Sequence, residues 1–255
     1  MNDWAPVTPR RLAFAGDWHA NPWHSVRAVE WAAEQQVEVI LHVGDYGYDF
    51  NPGFMARVQY ALEQAGLVLG FVPGNHEDYN YLDRREQTYG CTAIALRPNI
   101  YYLPRGYRWT WSGVRFLAMG GAHSVDRPWR EPGKSWWARE LITAPEAELA
   151  VGGGPADVML CHDVPAGVPI PAIDGNPHGF PEAEIRAAHQ HQELLRAIVD
   201  EVRPRHLYAG HYHTRHSAVL DGVGYRTAVT ILDDDSSPLS DNLVVVDLRE
   251  LARAS

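Results

Sequence analysis

The sequence predicts an α/β fold, and two observations support this class. First, strand-like apolar runs over residues 11–16, 37–43 and 67–72 alternate with amphipathic helical patterns over 23–36 and 52–65. This β-α-β-α-β order implies parallel strands joined by right-handed crossovers. Second, a polar cluster follows each of the three runs, and open α/β sheets bind ligands beyond the carboxyl ends of their strands. The same segments therefore predict both the fold class and the sheet edge that carries function.

The second half of the chain predicts shorter strands. Residues 100–103, 107–111 and 114–119 are short apolar runs, and a Ser-Gly turn signal separates the last two. We therefore expect an antiparallel arrangement in this half. The later pattern predicts a long helix and three further strands, over residues 182–202, 205–209, 225–232 and 243–248 respectively.

Two segments of the second half lack regular periodicity. Residues 120–134 show little pattern, and a helical segment over 135–141 follows them. Residues 164–181 are rich in proline and glycine, which prevents a regular element over that length. A loop of this size beside a site is typical of a lid or a substrate wall.

Length and composition predict one globular domain. Single α/β domains commonly have about 255 residues, so we assign residues 1–255 to one domain. The apolar fraction of 45% is that of an ordinary globular protein. No stretch approaches the roughly 18 apolar residues that span a bilayer, and the first residues lack the apolar core of a secretory signal. We therefore expect a cytoplasmic protein without a membrane partner.

Charge and cysteine content restrict the partners further. The formal net charge is −10, so the surface as a whole repels polyanions and excludes a long, non-specific nucleic-acid footprint. A phosphate group must then be attracted locally, by bound cations. Cys91 and Cys161 both lie in contexts typical of buried residues, and two cysteines in a chain of this size indicate no disulfide scaffold. A reducing compartment fits this cysteine usage.

Five polar clusters each follow an apolar, strand-like run. They are Asp17-Trp18-His19, Gly44-Asp45, Gly74-Asn75-His76-Glu77, His162 and Gly210-His211-Tyr212-His213. The turn after a strand lets Asp17 and His19 face a single ion. Alternate residues of an extended segment project to the same side, so His211 and His213 can give one imidazole to each of two ions. Carboxylate, amide and imidazole groups together are mixed oxygen and nitrogen donors that suit manganese, iron or zinc. We expect these groups to converge at one sheet edge.

Each cluster also has an ordinary structural explanation. Asp17 can cap a helix, Gly44-Asp45 is a common turn dipeptide, and a lone histidine such as His162 is usually a satisfied polar residue. The occurrence of all five at strand ends favours a metal site. Asp45 is the candidate bridge, since one carboxylate can join two cations about 3.5 to 4 Å apart. His76, next to such ions, can act as a general acid on a leaving oxygen.

These motifs, in this order and with these gaps, resemble the calcineurin-like metallophosphoesterase superfamily. The matching motifs run from Asp17 to His213, which is most of the chain. The resemblance implies a four-layer α/β/β/α sandwich and two divalent metal ions, for which we expect manganese or iron, with zinc as the alternative. It implies that one ion is held by Asp17, His19, Asp45 and His213. It implies that the other is held by Asp45, Asn75, His162 and His211.

The resemblance also implies the reaction. A hydroxide bridging the two ions attacks phosphorus in line, while His76 assists the leaving group, so Asp45 and His76 are the predicted catalytic residues. Ser/Thr protein phosphatases of the superfamily typically have an arginine after the GNHE motif. Here Asp78 follows Glu77, so protein phosphatase activity is disfavoured. We predict a phosphodiesterase acting on cyclic nucleotides or nucleic-acid-derived esters, with monoester activity as an addition.

Alternatives to this prediction come from two classes. Within the enzymes, a phosphomonoesterase or a dinucleoside polyphosphate hydrolase would use the same ligands. Outside them, a non-catalytic scaffold would keep the fold as a binding surface, although such proteins usually lose a ligand or the motif histidine, and here every one is present. The expected partner is a phosphate ester, a nucleotide or a nucleic-acid end, and the sequence leaves the oligomeric state open.

Substrate contacts are predicted in the segment over residues 120–127, which resembles a substrate-proximal loop of small bacterial and phage members. His123, Arg127 and Arg130 are the candidate contacts, and solvated surface charge is the alternative for both arginines. His189 and His191 indicate an exposed helix surface. Tryptophans near the motif loops form either a base-stacking face or core; they are Trp18, Trp23, Trp129, Trp136 and Trp137.

Overall fold

Two six-stranded sheets make up the centre of the computed structural model, which describes residues 4–5 and 8–252. The first sheet contains β1 (Arg11–Ala15), β2 (Val39–His42), β3 (Val68–Phe71), β4 (Ile94–Arg97), β5 (Ile100–Tyr102) and β12 (Leu243–Asp247). The second contains β6 (Arg108–Trp111), β7 (Val114–Met119), β8 (Val158–Cys161), β9 (His206–Ala209), β10 (His216–Gly222) and β11 (Tyr225–Ile231). Residues 1–3 and 6–7 lie outside the described residues. They belong to the first residues of the sequence, for which we expect no secretory signal.

Seven helices accompany these strands within the described part of the chain, six of them between strands and the last after β12. They are α1 (Pro22–Glu34), α2 (Pro52–Ala65), α3 (Tyr79–Tyr89), α4 (Ala144–Gly152), α5 (Glu182–Val202), α6 (Leu239–Asn242) and α7 (Leu248–Ala252). The first two begin as their sequences predict, because Asn21 and Asn51 accept hydrogen bonds from backbone N–H groups of the first turn and a proline follows each. Among residues 4–5 and 8–252, no helix combines the length and the apolar character needed to cross a membrane.

The first sheet confirms the β-α-β-α-β prediction. Its strand order is β12-β1-β2-β3-β5-β4, and the pairs β1–β2, β2–β3 and β3–β5 are parallel. Only the edge strands β12 and β4 run antiparallel to their neighbours. The carboxyl ends of β1, β2 and β3 therefore lie side by side, as the predicted site requires.

The expectation of an antiparallel second half is wrong for the central strands. The order is β10-β11-β9-β8-β7-β6, and the pairs β7–β8, β8–β9 and β9–β11 are parallel. The reason is that α4 and α5 form crossovers before β8 and β9, and only the outer hairpins are antiparallel. The sheet thus also places the ends of β8 and β9 next to each other.

Several smaller expectations also need correction. The helical segment expected over residues 135–141 is a single 3₁₀ turn, Ala138–Glu140. The sequence pattern did not predict α3, α4, α6, α7, β4 or β10. Cys91 is exposed, whereas Cys161 is buried as predicted. Residues 164–181 contain one 3₁₀ turn and are otherwise irregular, as their proline content predicts.

Three apolar layers fill the spaces between four structural layers. Alternate residues of each strand face opposite sides of its sheet, so Ile40 packs toward α1 and α2 while Leu41 packs between the sheets. On the second sheet, Phe116 faces the space between the sheets and Leu117 faces α5. This arrangement confirms the α/β/β/α sandwich that the motif resemblance implied.

The contact between Phe14 and Tyr208 joins the two sheets near the site. Phe14 belongs to β1 and Tyr208 to β9, and their stacked rings lie 3.5 Å apart between centroids with planes inclined by 6°. Each of these strands carries a site motif within two residues of its end. This ring pair therefore contributes both to the packing between the sheets and to the spacing of the site residues.

Replacing Phe14 by alanine should lower the free energy of unfolding by about 3 to 5 kcal/mol, because a fully buried ring is removed from between the sheets. Urea denaturation followed by fluorescence measures this change. Phe14→Leu should cost less, and the exposed-residue control Val219→Ala should be nearly neutral. A Phe14→Ala protein as stable as the control would contradict the role of this contact.

Candidate metal centre

The five polar motifs meet where the two sheets adjoin. Asp17, Asp45 and Asn75 follow β1, β2 and β3 of the first sheet, while His162 and His211 follow β8 and β9 of the second. Carboxyl ends of parallel strands share one edge, so both sheets contribute donors from the same side. The site is therefore a junction between the sheets and does not belong to one of them.

The backbone at this junction is strained at four predicted ligands. His19, Asp45, His211 and His213 have positive φ angles of 46°, 54°, 71° and 47°. Residues with side chains adopt this left-handed region at a cost, and such conformations concentrate at functional sites. The turns thus direct donor side chains into one volume.

Asp45 lies at the middle of the donors. Its Oδ2 atom is 3.6 Å from His19 Nε2 and 3.5 Å from His162 Nε2. Its Oδ1 atom accepts hydrogen bonds from the backbone N–H groups of Asn75 and His76, at 2.9 and 3.0 Å. A Cβ atom at Gly74 would lie 2.1 Å from Oδ1, so glycine is required for this approach. One carboxylate oxygen is fixed by backbone while the other faces imidazoles from both predicted ligand sets.

Asp17 holds the second position of the cluster. Its Oδ2 atom lies 3.5 Å from His213 Nε2 and accepts the backbone N–H of His211 at 3.0 Å. A Cβ atom at Gly210 would lie 2.1 Å from Asp17 Oδ1, so this glycine also permits a close approach. Among the described residues, four sets of three side chains at this junction have ligand atoms within 4.8 Å of one another. They are Asp17 with His19 and His213, Asp17 with Asp45 and His162, His19 with Asp45 and His76, and His19 with Asp234 and Asp235.

The contact between His162 and Asn75 tests whether a cation fits here. His162 Nδ1 donates to the carbonyl of Val43 at 2.9 Å, and the Asn75 amide donates to Ser124 at 3.1 Å. The remaining atoms, His162 Nε2 and Asn75 Oδ1, are 3.0 Å apart. Both atoms are acceptors in a neutral pair, so a proton or a metal ion must lie between them. His211 stacks edge to face on His162, with ring centroids 5.0 Å apart.

The charges of these buried side chains also indicate that cations fit the site. Burial and the neighbouring charge of Asp45 raise the pKa of Asp17 to about 7. Burial acts to lower the pKa of His162, but the carboxylates of Asp45 and Asp17 outweigh it and raise this pKa to about 10. Two buried carboxylates thus need positive charge, and divalent cations supply it. The donor set of oxygens and imidazoles fits two such ions, while the assignment of each ligand stays a prediction.

Two acidic residues that the sequence analysis missed support the imidazoles. Asp235 Oδ1 accepts from His19 Nδ1 at 2.8 Å, and its Oδ2 accepts from the Asn21 amide at 2.7 Å. Asp234 Oδ2 is 3.3 Å from His213 Nδ1. In both histidines the other nitrogen, Nε2, is left facing the cluster, as in carboxylate–histidine–metal arrangements. The signal was present in the sequence as three aspartates, residues 233–235, directly after a strand.

Glu77, the last residue of the GNHE motif, is a buried connector. Its carboxylate accepts from the backbone N–H groups of Tyr46 and Gly74, both at 2.7 Å, and of Gly47 at 3.2 Å. Burial and the charge of Asp45 raise the pKa of Glu77 to about 7. Glu77 therefore fixes the loop after β2 against the loop after β3.

The predicted general acid, His76, contacts Arg130. The guanidinium Nη2 lies 2.7 Å from His76 Nε2, and since arginine only donates, this nitrogen of His76 accepts. Burial, followed by the charge of Arg130, lowers the pKa of His76 to about 4. Arg130 also donates to the Asn75 carbonyl at 3.1 Å and pairs with Asp126 at 2.7 Å. Proton donation from this nitrogen therefore requires the contact with Arg130 to open.

The other two predicted substrate contacts pair with α5. His123 Nε2 lies 2.8 Å from Glu184, and Arg127 donates to the same carboxylate at 2.7 Å. These pairs attach the loop over residues 120–134 to the start of α5. Their role as substrate contacts stays a prediction.

The prediction that His191 is exposed is wrong. His191 is buried on α5, and its Nδ1 lies 2.8 Å from Asp163, the residue after His162. The position is four residues before the buried Leu195, so the helical period placed it on the apolar face. Of the five tryptophans near the motifs, Trp18 and Trp137 are core, whereas Trp23 and Trp129 are 78% and 68% exposed.

A cavity of about 880 Å³ opens above the cluster. Asn75, His76 and His211 are part of its floor, and residues of the loop over 164–181 and of α5 form a wall. This volume lies in the range of small-molecule sites. The long proline-rich loop thus lies beside the site, as its length suggested.

Residues 10–215 match the family model described as Calcineurin-like phosphoesterase. The chain belongs to the calcineurin-like phosphoesterase family. The resemblance indicated by the five motifs is thereby confirmed, and membership implies a hydrolase of phosphate esters. A lariat debranching enzyme from Schizosaccharomyces pombe is 28% identical over 207 residues. That match covers 72% of this chain but 42% of the relative, so the chain spans less than half of that enzyme's length.

Solved structures share the fold of this calcineurin-like chain. A dimetal phosphatase from Danio rerio has a TM-score of 0.59 at 13% identity, and the match covers 94% of this chain and 93% of the other. A protein of Thermus thermophilus has a TM-score of 0.51 at 14% identity, with 95% of this chain and 100% of the other covered. At such identities the likeness concerns the fold alone.

Removing the carboxylate behind His19 should weaken metal binding. We expect Asp235→Ala to lower the affinity for manganese about 10- to 100-fold, because His19 Nδ1 loses the acceptor that fixes its orientation. Titration calorimetry with the metal-free protein measures this without relying on activity. The matched control is Asp221→Ala, which removes a 73% exposed carboxylate that pairs with Arg226. Equal affinities of the two variants would contradict the role of Asp235.

Proposed function

We propose that this calcineurin-like protein is a single-domain, metal-dependent phosphodiesterase. The observation that carries the proposal is the position of Asp45, whose Oδ2 atom lies within 3.6 Å of imidazoles from both predicted ligand sets. Asp17, His19 and His213 would hold one ion with Asp45, and Asn75, His162 and His211 would hold the other. When bound, two such ions lower the pKa of a water to about 7 and neutralise charge on the phosphoryl oxygens. Manganese or iron is the proposed metal, with zinc as the alternative.

The residues around the ions are proposed to orient the ester and to transfer a proton. Arg130 lines the cavity beside His76, and its guanidinium can form paired hydrogen bonds with phosphate oxygens. A phosphate that draws Arg130 away frees His76 Nε2 to take up a proton from water, and His76 then gives this proton to the leaving oxygen. Alkoxide leaving groups need such a proton, and this requirement favours diesters. The name of the Schizosaccharomyces pombe relative, lariat debranching enzyme, supports a nucleic-acid-derived diester.

His123 and Arg127 would act on the substrate indirectly in this proposal. Both pair with Glu184, so they hold the loop that carries Arg130 against α5. They reach a phosphate themselves only if those pairs open. Arg130 is therefore the proposed phosphate contact among the three residues that the sequence indicated.

The general-acid role of His76 is tested with leaving groups of different basicity. In His76→Asn, we expect kcat for alkyl diesters to fall about 100- to 10,000-fold, because the proton donor is lost. Hydrolysis of p-nitrophenyl esters, whose leaving group needs no proton, should fall much less. Metal content measured in parallel shows whether the neighbouring ligand Asn75 still functions. Equal losses on both substrates would remove the general-acid assignment.

The shared carboxylate is tested by Asp45→Ala. We expect bound metal to drop and diesterase activity to fall about 100-fold or more, because both ions lose a ligand. Elemental analysis and a manganese-supplemented assay measure the two effects, with Asp221→Ala as the matched carboxylate control. A variant with full activity would exclude the enzymatic proposal and would favour the scaffold alternative.

A further inference from the structure

The charges that line the cavity limit what the substrate carries beyond its phosphate. Among the described lining residues, Arg130 is the one arginine or lysine. Away from the metal cluster, the lining carboxylates are Asp126, which pairs with Arg130, and Asp174. A second phosphate placed away from the floor would meet the imidazoles of His178 and His189 but no free arginine or lysine among these described residues, and it would approach the acids. The cavity therefore suits a single phosphate joined to an uncharged group.

The wall that faces this uncharged group is apolar. It is made of side chains from three segments: the loop after β7, the loop over residues 164–181 and the first turns of α5. The residues are Val125, Val168, Ile170, Ile173, Phe180 and Ile185. The cavity of about 880 Å³ is larger than a phosphate group requires, so this wall can contact a sizeable substituent.

Phe180 is held in a defined position within that wall. The side chain of Asn176 accepts the Phe180 N–H at 3.0 Å and donates to the Phe180 carbonyl at 2.8 Å. Two further rings lie beside Phe180, with centroid distances of 6.2 Å to Trp129 and 5.9 Å to His178. Phe180 is only partly buried and lines the cavity. An irregular loop thus places an aromatic ring at the cavity wall, and Asn176 holds the backbone of that residue.

Amide, hydroxyl and imidazole groups also line the cavity. Gln192 donates to the Tyr212 hydroxyl at 2.7 Å, and its Oε1 atom lies 3.1 Å from His189 Nδ1. All three residues line the cavity. The Tyr212 hydroxyl also donates to Asp163, so the amide of Gln192 and the imidazole of His189 are the groups that can pair with the edge of a base or with a sugar. The lining therefore combines a ring for stacking with hydrogen-bonding groups and few charges.

We propose that this wall binds a nucleobase of the substrate, with Phe180 as the stacking residue, while the adjoining phosphate lies on the metal cluster. The inference rests on the proposed phosphodiesterase function and names its substrate class: a diester with one phosphate between nucleosides or at a nucleic-acid end. Stacking accepts any base, since every base has a π-face. The wall consequently selects for a base without selecting strongly among bases, and it disfavours dinucleoside polyphosphates.

The test compares two substrates on each protein. A dinucleoside monophosphate and its abasic counterpart carry the same phosphodiester but differ in the bases. We expect Phe180→Ala to lower the preference for the base-bearing substrate, measured as the ratio of the two kcat/KM values, about 5- to 100-fold. Phe180→Leu, which keeps an apolar side chain without a ring, should also lower the ratio. Tyr60→Ala, which removes a 64% exposed ring from α2 outside the cavity lining, is the control.

Three results would overturn the inference. An unchanged ratio in Phe180→Ala shows that no base stacks there. Equal losses on both substrates assign Phe180 to loop structure alone. A wild-type protein that prefers a dinucleoside polyphosphate over the monophosphate contradicts the single-phosphate cavity.

Failure of the proposed function gives a different result. In that case the wild-type protein hydrolyses neither diester, whatever residue stands at position 180. Calorimetric binding of a nucleoside monophosphate, compared with ribose phosphate, then still tests the wall. A preference for the nucleotide that Phe180→Ala removes supports the base site, and equal affinities for the two ligands overturn it.

Discussion

The burial of two carboxylates side by side is the constraint on which the site depends. Asp17 and Asp45 are 0% and 2% exposed, and removing a charge from water costs several kcal/mol per group. The protein offsets part of this cost with backbone N–H groups, which approach closely because Gly74 and Gly210 lack side chains. The imidazole of His162 offsets more. The remaining negative charge is concentrated at the cluster, and divalent cations would neutralise it.

This constraint explains why the architecture needs two sheets. The first sheet delivers both carboxylates, whereas the second delivers His162 and the pair after β9. The stacked rings of Phe14 and Tyr208 connect β1 to β9 and so connect packing of the inner apolar layer to the spacing of the donors. Strained turns at the strand ends follow from the same requirement, because they aim side chains from separate strands at one point.

The side chains around the cluster have separate roles in the proposed chemistry. Asp234 and Asp235 fix imidazoles from behind, and Glu77 joins the two loops that flank Asp45. Arg130 contacts His76 and brings a cation to the cavity floor, where a phosphate would lie. The opposite wall is apolar and carries the ring of Phe180, whose backbone is hydrogen-bonded to Asn176. Charge is thus concentrated at the floor, and the rest of the cavity is suited to the organic part of an ester.

The sequence by itself determined the three parallel strands β1, β2 and β3 of the first sheet and the place of the candidate donors at strand ends, because strand period, apolar runs and turn residues are local properties. The motif set also determined the family and its four layers. Only the tertiary structure decided which carboxylate supports which imidazole and why His191 is buried. It also decided that Glu184 pairs with both His123 and Arg127. It also decided that the second sheet is mainly parallel. These features depend on pairings between segments as distant as His19 and Asp235, and a hydrogen bond across such a separation follows from packing and leaves no local pattern.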